Sequence, residues 1–169
     1  MIHIVIHVPD QAREPGGNED SQGSVLPLAE PFYRACNYAN GGRDHFFTVN
    51  KAEWENASSR FGYSSEGTAC RLWTTQIPGT VPLYRLWSGA DHFYTQHEQE
   101  QKGLRHPWTY EGIAGYVLSN RIEGTVPFYR MFCRGNGDHH YTVSEAERHR
   151  CISVGGWVDE GYVGYVVPP

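Results

Sequence analysis

The sequence predicts a β-rich α+β protein of three consecutive units of about 45 residues, each a β-hairpin, a short helix and a strand. The main observation is the motif Asp-His-x-(Phe/Tyr)-Thr, whose copies start 47 residues apart at Asp44, Asp91 and Asp138. Each copy is preceded by Tyr-Arg and followed by Glu-Gly. The arginines are Arg34, Arg85 and Arg130, and the glutamates are Glu66, Glu111 and Glu160.

Units of this size cannot bury an apolar face alone, so the three units must pack against one another. We expect a single domain over residues 25–169, divided into units 25–76, 77–121 and 122–169. The expected arrangement is around a pseudo-threefold axis, and a β-trefoil is the nearest alternative. The 19 glycines and 10 prolines favour tight turns over long helices.

The hairpin of each unit begins after a proline with a short aromatic strand. In the second unit, alternation places Leu83, Arg85 and Trp87 on one face, with Tyr84 and Leu86 on the other. A turn containing Gly or Asn follows, and the Asp-His motif forms the returning strand. The turns differ in length between units, as exposed loops tolerate.

A polar, Glu-rich stretch after each hairpin predicts one or two helical turns. Ser144 with Glu147, and Asn50 with Glu53, have the spacing of a capping box at a helix N-terminus. The unit then closes with an aromatic-Gly strand, such as residues 157–166.

Composition excludes several classes of protein. The net charge of −5 and pI near 6.0 argue against a nucleic-acid partner. No apolar run is long enough for a membrane span. Residues 1–24 are interpreted as an N-terminal arm and flexible linker without a secretory signal, which predicts a cytoplasmic or non-classically secreted protein.

The pattern Tyr-Arg, Asp-His-Phe-Tyr-Thr and aromatic-x-Tyr-Glu-Gly-x-x-Gly-Tyr-Val resembles a tandem-repeat domain family of unknown function. That family occurs in fungi and bacteria, alone or appended to secreted hydrolases. The resemblance covers residues from about Pro31 to Val166. It implies a binding or accessory module, most often assumed to bind carbohydrate, and no catalytic residues. Small fungal lectins are similar in size, mild acidity and triplication, at the level of class only.

The repeated Asp-His pairs are the first candidates for a binding site. Their carboxylates accept, and their imidazoles donate, hydrogen bonds of the kind that sugar hydroxyls form. The alternative is structural, with Asp capping the turn and His buried in the strand. These candidates are Asp44, His45, Asp91, His92, Asp138 and His139.

The repeated arginines Arg34, Arg85 and Arg130 are planar donors suited to hydroxyls or a carboxylate. The alternative is an ion pair with the glutamate of the same unit. Trp87, beside a variable loop, is the best candidate for stacking on a sugar ring. Trp108 and Trp157 are expected in the core.

The four cysteines lack CxxC spacing, so zinc-ribbon chemistry is excluded and free thiols are favoured over disulfides. We predict no cofactor and no metal, although three converging histidines would be one way to hold zinc. No hydrolase or phosphate-binding motif occurs, so no enzyme activity is expected.

These observations favour a multivalent, non-catalytic carbohydrate-binding protein of lectin type. A motif present three times suits several docking surfaces, because linked sites gain avidity. The expected partners are glycans or glycoproteins, and a homodimer is possible. Two alternatives stay open: a protein-binding scaffold such as a protease inhibitor, and a small hydrolase using a Glu/His pair.

Overall fold

The computed structural model describes residues 27–38 and 44–169. The predicted N-terminal arm and the first hairpin turn lie outside the described residues. The strands are β1 (Glu30–Cys36), β2 (His45–Thr48), β3 (Ser64–Leu72), β4 (Thr80–Trp87), β5 (His92–Thr95), β6 (Thr109–Leu118), β7 (Val126–Cys133), β8 (Asp138–Thr142) and β9 (Val158–Val166). The helices are α1 (Lys51–Arg60), α2 (Glu98–Gly103) and α3 (Glu145–Ser153).

The strands form two antiparallel sheets, which makes the protein β-rich as predicted. One sheet has the order β2-β1-β3, and the other has the order β5-β4-β6-β9-β7-β8. Strands β6 and β9 join through the single pair Leu118–Tyr165. Isolated bridges, Arg71–Val167 and Trp73–Tyr116, connect β3 to the other sheet. The last strands of the three units are therefore connected to one another at their ends.

The hairpin strands depart from the predicted alternation. Leu83 and Leu86 are both buried although they were expected on opposite faces. The cause is an irregular register between β4 and β6, with shifts between Leu83 and Tyr84 and between Arg85 and Leu86. Such bulges twist the strand and turn side chains to new directions.

The Glu-Gly motif lies at these irregularities. Gly112 faces Arg85 across the β4–β6 pair and has a φ of 118°. Its counterparts Gly67 and Gly161 have φ values of 80° and 84°. A side chain is disfavoured at positive φ, which explains glycine at this point of each unit. The bulge directs the preceding glutamate toward the arginine of the same unit.

Two of the three helices begin as the capping pattern predicts. The Glu53 N–H donates to the Asn50 side chain and the Glu147 N–H donates to the Ser144 side chain, each at 3.2 Å. Helix α2 follows His97, which makes no capping bond with its side chain. Six residues long, α2 is also the shortest helix. Within the described part of the chain, no helix is long and apolar enough to cross a membrane.

Three aromatic rings meet at the centre of the core. Phe47, Tyr94 and Tyr141, one from each unit, are fully buried. Their ring centroids are 5.3 to 5.6 Å apart in edge-to-face contacts. This geometry is favourable for aromatic quadrupoles and fills the space with few residues. Phe32 and Phe128 pack around the triangle.

The two tyrosines of this triangle also pair with backbone of another unit. The Phe47 N–H donates to the Tyr94 hydroxyl at 2.8 Å, and that hydroxyl donates to the Phe47 carbonyl at 2.7 Å. The Tyr141 hydroxyl makes the same two bonds with the backbone of Tyr94. Phe47 has no hydroxyl to continue the series toward Tyr141.

We predict that Tyr94→Phe lowers the free energy of unfolding by about 1–3 kcal/mol, because a buried N–H and C=O lose their partner. Urea denaturation measures the change. Tyr110→Phe is the matched control, since Tyr110 is 47% exposed and should tolerate the loss of its hydroxyl. Equal changes in the free energy of unfolding would show that the buried hydroxyl stabilises the fold no more than the exposed one.

We predict that Phe47→Tyr raises the unfolding free energy by about 1 kcal/mol. Tyr141 lies opposite Arg130 in its hairpin, as Tyr94 lies opposite Arg85. The backbone of Tyr141 therefore has the same place in the third unit as the backbone of Tyr94 has in the second. A hydroxyl on residue 47 would complete the third pair of bonds. A lower melting temperature in this variant would mean that the triangle lacks room for one more oxygen.

Candidate functional site

The repeated Asp and His side chains form buried pairs between different units. Asp44 pairs with His92, Asp91 with His139, and Asp138 with His45. The Oδ–Nδ1 distances are 2.8, 2.6 and 2.6 Å, respectively. Each aspartate also accepts the backbone N–H of its histidine. We name these contacts the 1–2, 2–3 and 3–1 junctions. Together they connect the three hairpins in a closed ring.

The aspartates converge closely. Oxygens of Asp44, Asp91 and Asp138 lie within 4.8 Å of one another, and all three side chains are buried. All six carboxylate oxygens accept hydrogen bonds from the partner histidines. These hydrogen bonds explain why the three carboxylates are buried close together. Among the described residues, no such convergence is found for the three histidines.

The pairing changes the protonation of His45. Burial alone would lower the pKa of His45, but the hydrogen bond to Asp138, helped by Cys36, raises it to about 10. The imidazole is therefore protonated at neutral pH. It forms a buried ion pair that closes the ring between the third unit and the first.

Each repeated arginine lies between two glutamates. Arg85 Nε is 2.9 Å from Glu111 of its own unit, and Arg85 Nη2 is 3.0 Å from Glu53 on the helix of the preceding unit. Arg34 and Arg130 make the same two kinds of contact. The alternative interpretation, an ion pair within the unit, therefore describes all three arginines. The second glutamate adds a further contact between units.

The junctions are alike in these ion pairs and differ in the side chains around them. The residue beside the histidine on the paired strand is Trp87 in 1–2, Phe132 in 2–3 and Cys36 in 3–1. Each junction also contains two further rings that pack against each other. These pairs are Phe46 with Tyr63, Phe93 with Trp108, and His140 with Trp157, at centroid distances of 5.9, 5.7 and 5.8 Å.

The 1–2 junction opens into a cleft of about 850 Å³. Aromatic rings of Phe46, Phe61, Tyr63 and Trp87 line it. Phe61, just after α1, is 67% exposed. The described lining also includes small residues and polar side chains. The small residues are Ala52, Ala57, Gly89 and Ala90, and the polar residues are Asn37, Asp44, Asn50, Glu53, Asn56, His92 and Glu111. The cleft therefore combines stacking surfaces with several hydrogen-bonding groups.

The acidic groups of the cleft are held in place by neighbours. The Tyr63 hydroxyl donates to Asp44. Burial would raise the pKa of Glu53, but hydrogen bonds from Arg85 and Thr48 lower it below its usual value. Arg85 itself stacks on Phe46, 5.4 Å from the ring centroid. The Glu53 carboxylate is therefore ionised and held in place, which suits it to accept hydrogen bonds.

Of the ten residues predicted to bind, three line the cleft: Asp44, Trp87 and His92. The other seven contribute to the ion pairs described above. Sequence reasoning missed Phe61 and Tyr63, which provide much of the aromatic surface. Their signal was the divergence of the first unit, which has Tyr63 where the later units have Trp108 and Trp157.

Fold and site together define a β-rich domain with an aromatic-lined polar cleft. The chain belongs to a family known as a domain of unknown function, DUF5648, whose model matches residues 22–167. No curated protein and no solved structure is significantly similar to it.

We predict that stability falls as the pH rises from about 6.5 to about 10. The pKa of His45 is about 10 in the folded protein and about 6.5 when unfolded. Its contribution is therefore complete below pH 6.5 and is lost as the pH rises through 10. Urea midpoints measured across this range test the prediction.

Asp138→Asn should remove most of this pH dependence, because the raised pKa of His45 depends on that carboxylate. His149→Gln is the control, since the His149 side chain is 75% exposed. A slope that is the same in the wild type and Asp138→Asn would contradict the assignment to His45.

Proposed function

We propose that the protein binds carbohydrate without catalysis and that its principal site is the cleft at the 1–2 junction. The observation that supports this is the combination of Trp87, Tyr63 and exposed Phe61 with amide and carboxylate side chains in one open cleft. Sugar rings present apolar C–H faces and a rim of hydroxyls. Aromatic rings cover the faces, and amides and carboxylates bind the hydroxyls.

Trp87 is fixed for such a role by its neighbour. Its ring lies 4.3 Å from the His92 ring, with 33° between the planes. His92 in turn is anchored to Asp44 through its Nδ1 atom. A stacking ring held in one orientation loses little conformational entropy when a ligand binds. The Asp-His pair therefore contributes by positioning the ring that touches the sugar.

Two asparagines on α1 supply exposed polar groups. Asn50 uses its side-chain oxygen to cap the helix, which leaves its NH2 group as a donor into the cleft. Asn56, about 1.7 turns further along, offers both a donor and an acceptor. Pairs of donors and acceptors of this kind match neighbouring hydroxyls on a pyranose.

The charged side chains of the cleft indicate which class of glycan it should bind. The described lining holds three carboxyl groups, Asp44, Glu53 and Glu111, and contains no lysine or arginine. Arg85 lies behind the lining and is already paired with two glutamates. The cleft should therefore favour neutral saccharides and disfavour sialylated or uronic-acid glycans.

We further propose that the three units lie around a pseudo-threefold axis through the aspartate cluster. The cyclic Asp–His pairs and the Phe47–Tyr94–Tyr141 triangle support this arrangement. A β-trefoil is disfavoured, because each unit has its own helix and its own three-stranded pairing. The three junctions are then related sites with different linings, and we propose one principal sugar site in place of three equal ones.

We predict that Trp87→Ala weakens binding of the neutral glycan selected on a glycan array by about two- to tenfold, since aromatic stacking contributes about 0.5–1.5 kcal/mol. Isothermal titration calorimetry gives both the affinity and the number of sites. Phe132→Ala is the matched control, because Phe132 lies beside His139 as Trp87 lies beside His92. It should leave affinity unchanged.

A complementary variant fills the cleft without truncating a side chain. Tyr63→Trp places there the residue found at the other two junctions and should abolish binding while the fold is kept. If Trp87→Ala and Phe132→Ala reduce affinity equally, or if only acidic glycans bind, the proposed site is wrong. Inhibition of a protease without any sugar dependence would favour the scaffold alternative.

A further inference from the structure

The 1–2 cleft contains two separate aromatic surfaces. One is the ring of Trp87 at the end of β4, and the other is formed by Phe61 and Tyr63 just after α1. Among the described residues, the ring contact of Trp87 is with His92, and none joins it to Phe61 or Tyr63. The cleft therefore offers two places at which a ring could be covered, and they do not form one stack.

A row of rings lies between the two surfaces. The centroid of Tyr63 is 5.9 Å from that of Phe46, which is 5.0 Å from that of His92. The His92 centroid is in turn 4.3 Å from that of Trp87. Phe46 and His92 are buried, whereas Tyr63 and Trp87 are half-buried. The two ends of the row therefore present more ring surface to a ligand than its middle.

One carboxylate fixes the two surfaces relative to each other. Asp44 accepts a hydrogen bond from the Tyr63 hydroxyl, and its Oδ2 is 2.8 Å from His92 Nδ1. The His92 ring lies against Trp87. Both surfaces are thus held before a ligand arrives, which lowers the entropy lost on binding.

Phe61 extends the first surface to the rim of the cleft. Its N–H donates to the Ala57 carbonyl at 3.1 Å, which holds its backbone at the end of α1. Gly62 follows with a φ of 75°, a conformation that suits glycine, and leads the chain to Tyr63. The backbone at Phe61 is therefore anchored, while its ring is 67% exposed.

The first unit alone has an aromatic residue at this place. Leu104 and Val154 occupy the corresponding position after α2 and α3. The exposed ring therefore occurs in the same unit as the helix that borders the cleft. An exposed apolar side chain that is part of a polar-rimmed cleft indicates a contact with a ligand.

The cleft is also larger than one sugar residue. Its volume is about 850 Å³. A hexose has roughly twelve non-hydrogen atoms, and counting each as one water of about 30 Å³ gives at most about 360 Å³. A single residue would therefore leave more than half of the cleft to solvent.

We propose that the 1–2 cleft binds a neutral oligosaccharide of at least two pyranose residues, one covering Trp87 and another covering Phe61 and Tyr63. This inference rests on the proposed function, because it divides the same carbohydrate site into two subsites. The Asp44 carboxylate lies between the subsites, next to the hydroxyls of both sugar residues.

Isothermal titration calorimetry of the full chain tests the number of sugar residues. The probes are mono-, di- and trisaccharides of glucose, galactose, mannose and N-acetylglucosamine. In a series that binds, the disaccharide should bind about two- to tenfold more tightly than the monosaccharide, because it gains a second aromatic contact. Equal affinities along the series would overturn the two subsites and leave carbohydrate binding itself intact. Binding of none of the probes would instead contradict the proposed function, and this inference with it.

Phe61→Ala tests the second subsite directly. It should bring the affinity for the disaccharide close to that for the monosaccharide, and Phe61→Tyr, which keeps a ring, should preserve the difference. Because the Phe61 side chain is 67% exposed, its truncation should leave the fold intact, as circular dichroism can verify.

Val154→Ala is the matched control. It truncates an apolar side chain that is 83% exposed at the same place after α3, away from the cleft, and should change none of the affinities. If Phe61→Ala weakens the monosaccharide and the disaccharide by the same factor, or weakens neither, the assignment of a second subsite to Phe61 is wrong.

Discussion

The burial of three carboxylates within 4.8 Å of one another constrains the whole molecule. Unpaired, these aspartates would each cost several kcal/mol of folding free energy. Each is compensated by a histidine from a different unit, which also donates its backbone N–H. No hairpin can satisfy its own aspartate, so the fold is complete only when the ring closes. The Asp-His motif therefore occurs in every unit, because each unit supplies an aspartate to the histidine of one neighbour and a histidine to the aspartate of the other.

The arginines strengthen the same connection at a greater distance from the aspartates. Each one joins the Glu-Gly bulge of its own unit to the helix of the preceding unit, as Arg130 joins Glu160 to Glu100. The repeated polar residues thus maintain the framework, and the neighbouring positions are free to vary. Trp87, Phe132 and Cys36 occupy one such position, and it is there that the junctions acquire different chemistry.

Sequence alone predicted the elements well, because periodicity and capping are local. The Asn50 and Ser144 caps and the closing strands are where the patterns indicate. The partner of each aspartate could not be found this way: the sequence places His45 next to Asp44, whereas the structure pairs it with Asp138. The sequence also did not predict the bulge opposite Arg85, because a register shift depends on contacts between strands that no single strand encodes. Phe61 was missed because an exposed ring has no periodic signature.

The difference between the repeated polar residues and their variable neighbours changes what triplication implies about function. Three copies of a motif suggest three equal sites only if the copied residues meet the ligand. Here the copied residues pair with each other even where they also line the cleft, as Asp44 and His92 do, and the side chains beside them differ among units. A framework closed by the same Asp–His pairing at each junction tolerates substitution in the side chains around it, since those side chains do not form the pairs that close the ring. One chain can therefore hold an aromatic cleft at the 1–2 junction and a thiol beside an imidazolium at the 3–1 junction.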